Sequence, residues 1–192
     1  MDGVAAALAA AEELGRLDAL VVNAGGPPAA TFAELDDAAW QAAHELTLMS
    51  GIRLVRAALP MLRRSDAASV LFISSLTVRH PVANLVLSNS IRMAVLGLAK
   101  SLAGELAPIR VNTVLPGYIA TDRSVDLART RAAASGRDVD AVFAEQSTGI
   151  PLRRYGQAEE VARICVLLCS PAASYVTGAA LPVDGGLIQV PL

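Results

Sequence analysis

The chain has 192 residues, 54% of them hydrophobic and only 18% charged, so it carries enough apolar surface for one packed domain and too little polarity for disorder. A formal net charge of -2 excludes the basic face that a nucleic-acid partner requires. Cys165 and Cys169, with His44 and His80, form no disulfide framework and no metal-ligand spacing.

In chain order, Val4, Leu8, Ala11 and Leu14 mark an Ala-rich helix closed by Gly15. No basic-apolar-cleavage pattern accompanies it, and the expectation is a cytoplasmic protein. Asp18-Ala19-Leu20-Val21-Val22 reads as a buried strand that ends in Asn23-Ala24-Gly25-Gly26, where missing Cβ atoms let the backbone approach a ligand. After Pro27 and Pro28, Asp36 or Asp37 caps a helix over 37–62 that runs through Trp40, Leu48, Ile52 and Val55, with Pro60 near its end.

The stretch 70–106 organises the rest. Val70-Leu71-Phe72-Ile73 is a continuous apolar run, as in a strand covered on both faces, and it stops at Ser74-Ser75. From about Leu85 a helical period takes over, with Ile91, Val95, Leu98, Leu102 and Leu106 spaced by three and four and Pro108 just beyond. Ser88 and Arg92 lie four apart and share a face. Ser75, Ser88 and Arg92 therefore gather at the carboxyl end of a strand, where open α/β sheets place ligands.

Ile109-Arg110-Val111-Asn112-Thr113-Val114-Leu115 is a further strand, followed by Pro116-Gly117-Tyr118-Ile119-Ala120-Thr121. The polar, Arg- and Ala-rich segment 122–149, helical over 125–134, suits a mobile lid. The next helix has Glu159 and Glu160 in its first turn and Val161, Ile164, Val166, Leu167 and Leu168 as its apolar face, with Cys165 and Cys169 as core thiols. The stretch 164–183 is uncharged over twenty residues, long enough to span a bilayer. Pro171 and Pro182 make it helix end, loop and strand instead, so no membrane segment is expected.

The chain resembles the short-chain dehydrogenase/reductase family, in its 3-oxoacyl-carrier-protein-reductase-like branch. In that family a strand-end Ser is followed 13 residues later by the Tyr of a Tyr-x-x-x-Lys motif; here Ser75 fills the first slot, Ser88 the Tyr slot and Arg92 the Lys slot. Counting 28 residues back from Ser75, the position of the family's catalytic Asn, gives Thr47, whose other reading is a mid-helix hydroxyl bonded to its own backbone. The resemblance places Asn23, Ala24 and Gly25 beside a dinucleotide, sets Pro116, Gly117 and Ile119 against the nicotinamide carboxamide, and sends the Thr121 hydroxyl to the cofactor phosphates. Arg92 would hold ribose hydroxyls. Val183-Asp184-Gly185-Gly186 matches the family's closing strand.

The implied fold is α/β, a doubly wound Rossmann-like parallel sheet, N-terminally incomplete, as one partial domain over 1–192. A strand followed by Gly-x-x-x-Gly-x-Gly is not found in the sequence, and the 18–22 strand is expected as an unpaired apolar edge. The implied cofactor is NAD or NADP, the partner a small-molecule carbonyl or alcohol substrate, and the assembly a homodimer or homotetramer paired through the 37–62 and 85–106 helices. Two functions follow. One is an NAD(P)-dependent oxidoreductase with an atypical active site, because Ser88 lacks a phenol and Arg92 cannot shuttle a proton. The other is a catalytically inactive relative or truncated product serving as a cofactor-sensing or assembly subunit. His80, five residues past Ser75, is a candidate substitute acid or a solvated loop side chain.

Overall fold

The computed structural model describes residues 8, 9, 11–13 and 15–189. Positions 8, 9 and 11–13 are helical, as the first Ala-rich segment predicts, while Val4 and Leu14 lie outside the described residues. The elements then run β1 (Ala19–Asn23), α1 (Asp37–His44), a π turn (Glu45–Met49), α2 (Ser50–Leu62), β2 (Ser69–Ile73), α3 (Val86–Glu105) and β3 (Arg110–Pro116). After them come β4 (Ile119–Ala120), α4 (Asp122–Ser135), α5 (Val139–Thr148), β5 (Gly156–Gln157), α6 (Ala158–Cys169) and β6 (Ala180–Val183).

Four strands form one parallel sheet in the order β1-β2-β3-β6. Its register sets Asn23 opposite Ile73 and Ile73 opposite Val114. β1 and β2 therefore end level while β3 runs on to Pro116, and the turns that leave the three strands open on one edge of the sheet. Alternation along β2 divides the core. Val70 and Phe72 pack with Leu20, Val22, Val55, Leu62, Val95 and Val111 on the α2/α3 side. Leu71 packs with Val114, Val161, Cys165 and Leu168 on the α6 side. Helices on both faces of a parallel sheet are the expected α/β architecture.

Three expectations need correction. The strand expected to be buried is covered on one face only: Leu20 and Val22 are enclosed, whereas Val21 is 44% exposed. The reason is that α6 packs chiefly on β2 and β3. On α6 itself Val166 and Leu167 are 69% and 47% exposed, so they do not belong to the apolar face. The stripe that closes the core is Val161, Cys165 and Leu168, at the spacing one helix face requires. The single helix over 37–62 is interrupted by the π turn. Within it the Ser50 hydroxyl donates to the Leu46 carbonyl at 2.5 Å, and Glu45 pairs with Arg53 at 2.7 Å. Just beyond, Gly51 lets α2 settle onto β1, since a Cβ there would lie 3.2 Å from Val22 Cγ1.

The lid segment is a helical hairpin. Its expected stretch 125–134 lengthens to α4, Gly136 ends it with a left-handed φ of 64°, and α5 folds back with Val142 against Ala128 and Ala132. Tyr155 joins the hairpin to the sheet edge. Its ring stacks on Tyr118 at 5.5 Å and meets Phe143 of α5 edge-on at 4.9 Å, while its hydroxyl donates to Gln146 Oε1. Burial pushes the phenol up to about 12, so Tyr155 stays neutral across the ordinary pH range.

Two side chains of β3 replace missing backbone partners. The buried Arg110 guanidinium donates to the carbonyls of Leu168 (2.7 Å), Cys169 (3.3 Å) and Ser170 (3.2 Å), closing the C-terminus of α6 where a cation is favourable. Asn112 donates to the Val176 carbonyl at 2.8 Å and accepts from the Ala179 N–H at 3.0 Å, as a strand would. Arg110→Leu leaves those helix-end carbonyls without their donor and is expected to lower unfolding free energy by about 2–3 kcal/mol, read by urea denaturation.

At the other end of α6 the Glu160 carboxylate accepts from both nitrogens of Arg154 and from the Gln157 N–H, each at 2.7 Å. The Arg154 hydrogen bonds, then the Gln157 bond, hold the carboxyl down to about 2. A depressed carboxyl contributes stability above its unfolded value, so this contribution is complete above about pH 5 and disappears as pH falls toward 2. NMR titration of the Glu160 carboxyl is expected to follow that course, with a smaller shift at high salt because the pair is exposed.

Candidate active-site cleft

The carboxyl ends of β1, β2 and β3 bound a cleft of about 380 Å³. Its floor comes from the turn Asn23-Ala24-Gly25-Gly26, its centre from Ser74, Ser75, Ser88 and Arg92, and its far wall from Pro116, Gly117, Tyr118, Ile119 and Thr121. Every sequence-predicted site residue except Thr47 and the substitute-acid candidate His80 lies here. The chain brings them together because β2 hands directly to the serine turn, and α3 returns beside it with Ser88 and Arg92 one helical turn apart.

Ser75 caps the short 3₁₀ turn Leu76–Val78, its hydroxyl oxygen accepting from the Thr77 N–H at 3.2 Å. Its own proton is left to donate into the cleft. Ser88 is only 7% exposed and its hydroxyl has no protein partner among the described residues, so the cleft is the one place for its hydrogen bonds. Next to it, Asn89 fixes the loop above: its amide donates to the Val82 carbonyl at 3.0 Å and accepts from the Val82 N–H at 3.2 Å.

Arg92 is buried and donates to the carbonyls of Ser74 (3.0 Å), Ile73 (3.4 Å) and Ala24 (3.5 Å). Burial, and then the nearby Arg123 charge, hold the guanidinium below its ordinary value. It remains a fixed cation, with no capacity to pass protons near neutrality.

On the far wall the Gly117 N–H donates to the Val183 carbonyl at 3.0 Å. A Cβ at Gly117 would stand 2.6 Å from Asp184 Cα, so glycine is required for the Pro116-Gly117 turn to lie against the end of β6. Asp184 holds that end by accepting from the N–H groups of Gly186 (2.9 Å) and Ile188 (2.7 Å). Thr121 is the N-cap of α4, its oxygen accepting from the Ser124 N–H at 3.3 Å. The hydroxyl proton expected to reach a phosphate stays available.

Two candidates fall outside. His80 is exposed and does not line the cleft. Thr47 sits in the π turn, 4% exposed, behind the cleft wall. Its Oγ1 has no partner among the described residues, which corrects the expectation of a bond to its own backbone. The π turn, with its wider hydrogen-bond spacing, is the local departure from an ordinary helix at that position. Sequence reading missed Arg123, in the first turn of α4, which crosses the cleft mouth to donate to the Pro27 carbonyl at 2.7 Å. Its place after the Pro-Gly…Thr segment was visible, but its reach to a residue 96 positions earlier was not. Among the described residues no group of three or more His, Cys, Asp or Glu side chains is arranged to hold a metal ion, and no helix is long and apolar enough to cross a membrane.

A cleft at the carboxyl edge of a parallel α/β sheet, with a serine turn and a helix-borne cation, is the arrangement of a Rossmann-like α/β fold. Residues 2–188 match the family model described as Enoyl-(Acyl carrier protein) reductase. Dehydrogenase/reductase SDR family member 4 of Sus scrofa is 36% identical over 177 residues, covering 90% of this chain and 60% of the relative. The structure of L-sorbose reductase from Gluconobacter frateurii, complexed with NADPH and L-sorbose, superposes with a TM-score of 0.90 at 31% identity over 99% of this chain and 74% of its own. An NADPH-bound short chain oxidoreductase from Pseudomonas aeruginosa PAO1, described as containing an atypical catalytic center, is 35% identical with a TM-score of 0.85, covering 98% of this chain and 72% of its own. The chain belongs to the short-chain dehydrogenase/reductase family.

Because the Thr47 hydroxyl is buried without a partner, Thr47→Val is expected to raise unfolding free energy by about 1 kcal/mol, checked by the shift of the urea midpoint at unchanged slope.

Proposed function

We propose that this chain carries the catalytic residues of an NAD(P)-dependent oxidoreductase that interconverts a carbonyl and a hydroxyl group, with Ser75, Ser88 and Arg92 as an atypical centre. The observation that carries the reading is the single cleft in which those three side chains meet the turns at Asn23–Gly25 and Pro116–Thr121. The residues present suit the nicotinamide end of a dinucleotide. Ser88 offers a hydroxyl that opens on the cleft with no protein partner among the described residues, Arg92 offers guanidinium donors for ribose hydroxyls, and the Thr121 proton is available to a phosphate oxygen. When bound, the reduced nicotinamide supplies the hydride that the carbonyl carbon accepts.

The side chains answer for the oxygen. Ser75 and Ser88 donate hydrogen bonds to the carbonyl oxygen, and these strengthen as negative charge develops on it. Arg92 stabilises the same charge electrostatically, in a site whose other fixed charge is also positive. The C=O π bond opens, the carbon gains the hydride, and the oxygen takes a proton that reaches it through the serine hydroxyls from water at the open mouth. In the oxidative direction the same groups take the proton away.

An alkyl hydroxyl is a far weaker acid than the phenol this family uses at the Ser88 position. Turnover is therefore expected to be slow, lower by roughly 10²–10⁴ than with a well-placed acid. The assay is oxidation of NADPH and NADH with 3-oxoacyl thioesters and small ketones. Slow turnover that falls about a further hundredfold in Ser75→Ala is the expected result. Ordinary enzyme rates that survive Ser75→Ala would overturn this account of the centre.

A further inference from the structure

The charge distribution of the cleft carries the reading of its substrate further. Twenty residues line it, among them the two arginines Arg92 and Arg123 and no Asp, Glu, Lys or His. Neither arginine belongs to an ion pair among the described residues. Arg92 is nine-tenths buried and satisfied only by carbonyl oxygens. Carbonyl dipoles take three of its N–H donors and leave its net charge in place, and a buried net charge is lowered in energy by an arriving anion.

Arg123 presents its guanidinium from the other side. One of its nitrogens is held by the Pro27 carbonyl, which fixes the planar fork across the cleft mouth and leaves further N–H donors free. The seat is shaped for it. At Gly26 a Cβ would come within 2.6 Å of the Arg123 guanidinium carbon and of one terminal nitrogen, so the guanidinium occupies the space where a side chain on that turn would be. The unpartnered Ser88 hydroxyl lies in the same cleft as a neutral donor.

Resting on the oxidoreductase reading above, we propose that the substrate is a small oxo or hydroxy acid whose carboxylate is held by the Arg123 guanidinium while Arg92 stays behind the reacting oxygen. A carboxylate matches the fork of Arg123 with two parallel hydrogen bonds. A neutral ketone would enter a cleft of two positive charges and cancel neither.

Calorimetry of the whole chain, with and without saturating NADP, compares acetoacetate with its neutral methyl ester. Acetoacetate is expected to bind about tenfold more tightly. In Arg123→Met the two should bind within about twofold of each other, and Arg123→Lys should keep part of the preference. NADPH affinity should change less than about threefold in either variant. The two variants differ at one exposed side chain, and their thermal unfolding should coincide with that of the parent. Equal binding of acid and ester by the parent, or no measurable binding of either, overturns the proposal. So does loss of NADPH binding in Arg123→Met with the acid preference intact, which would make a cofactor phosphate the anion that Arg123 serves. Binding is read without turnover. An acid preference that vanishes in Arg123→Met, in a protein that transfers no hydride, would therefore sink the oxidoreductase reading and leave the carboxylate site standing.

Discussion

A single buried guanidinium ties the helix of the cleft to the sheet. Arg92 rises from α3 and donates to carbonyls at the ends of two strands, Ile73 and Ser74 after β2 and Ala24 after β1. In return the Ser74 hydroxyl donates to the Arg92 carbonyl at 3.4 Å. The Ser74 and Ala24 carbonyls lie just past the strands that lead to them, where each needs a donor. The turn therefore depends on the cation, and the cation depends on the turn to offset its desolvation. Placement of Ser75 and Ser88 follows from this exchange, since both stand within one turn of its anchor points.

The same economy recurs at β3. Arg110 and Asn112 project to one face of the sheet only in part, yet each bonds main chain that has no ladder to join: the end of α6 for one, the 176–179 loop for the other. Side chains that stand in for strands and caps let a four-stranded sheet hold long irregular connections whose main-chain groups still find partners. The far wall of the cleft is positioned by such a connection. The Pro116-Gly117 turn rests on the end of β6, and Asp184 holds that end in shape.

Much of this was legible in the sequence where a pattern is local. The apolar run 70–73, the serines after it and the spacing of Ser88 and Arg92 determine their own relative placement through strand and helix periods alone. Position before the apolar pattern narrowed the N-cap to Asp36 or Asp37, and it is the Asp36 side chain that accepts from the Ala39 N–H at 2.8 Å. What escaped the sequence depends on contacts between distant segments. Nothing near Arg123 names Pro27, and nothing near Arg110 names the carbonyls of α6. Val166 and Leu167 read as core because they are apolar, but only the arrival of β2 and β3 decides which stripe of α6 is covered. Thr47 was located by counting from Ser75. Its hydroxyl's lack of a partner comes from backbone geometry that composition does not encode.

The π turn at Glu45–Met49 also changes the phase of the helix it interrupts. Each residue advances an α-helix by about 100°, and a π turn absorbs one residue more than an α turn does. The apolar stripe of α1, with Ala43 buried, and that of α2, with Val55, Ala58 and Leu62 buried, are thus written in two different frames. A periodicity that runs straight through 37–62 blurs both. Loss of one residue inside the turn would bring the two frames into a single α-helical count, whereas the same loss elsewhere in α1 or α2 would rotate one buried stripe toward solvent. The extra residue is in effect an insertion that the helix has already accommodated, and it lies where the wall behind the cleft can absorb it.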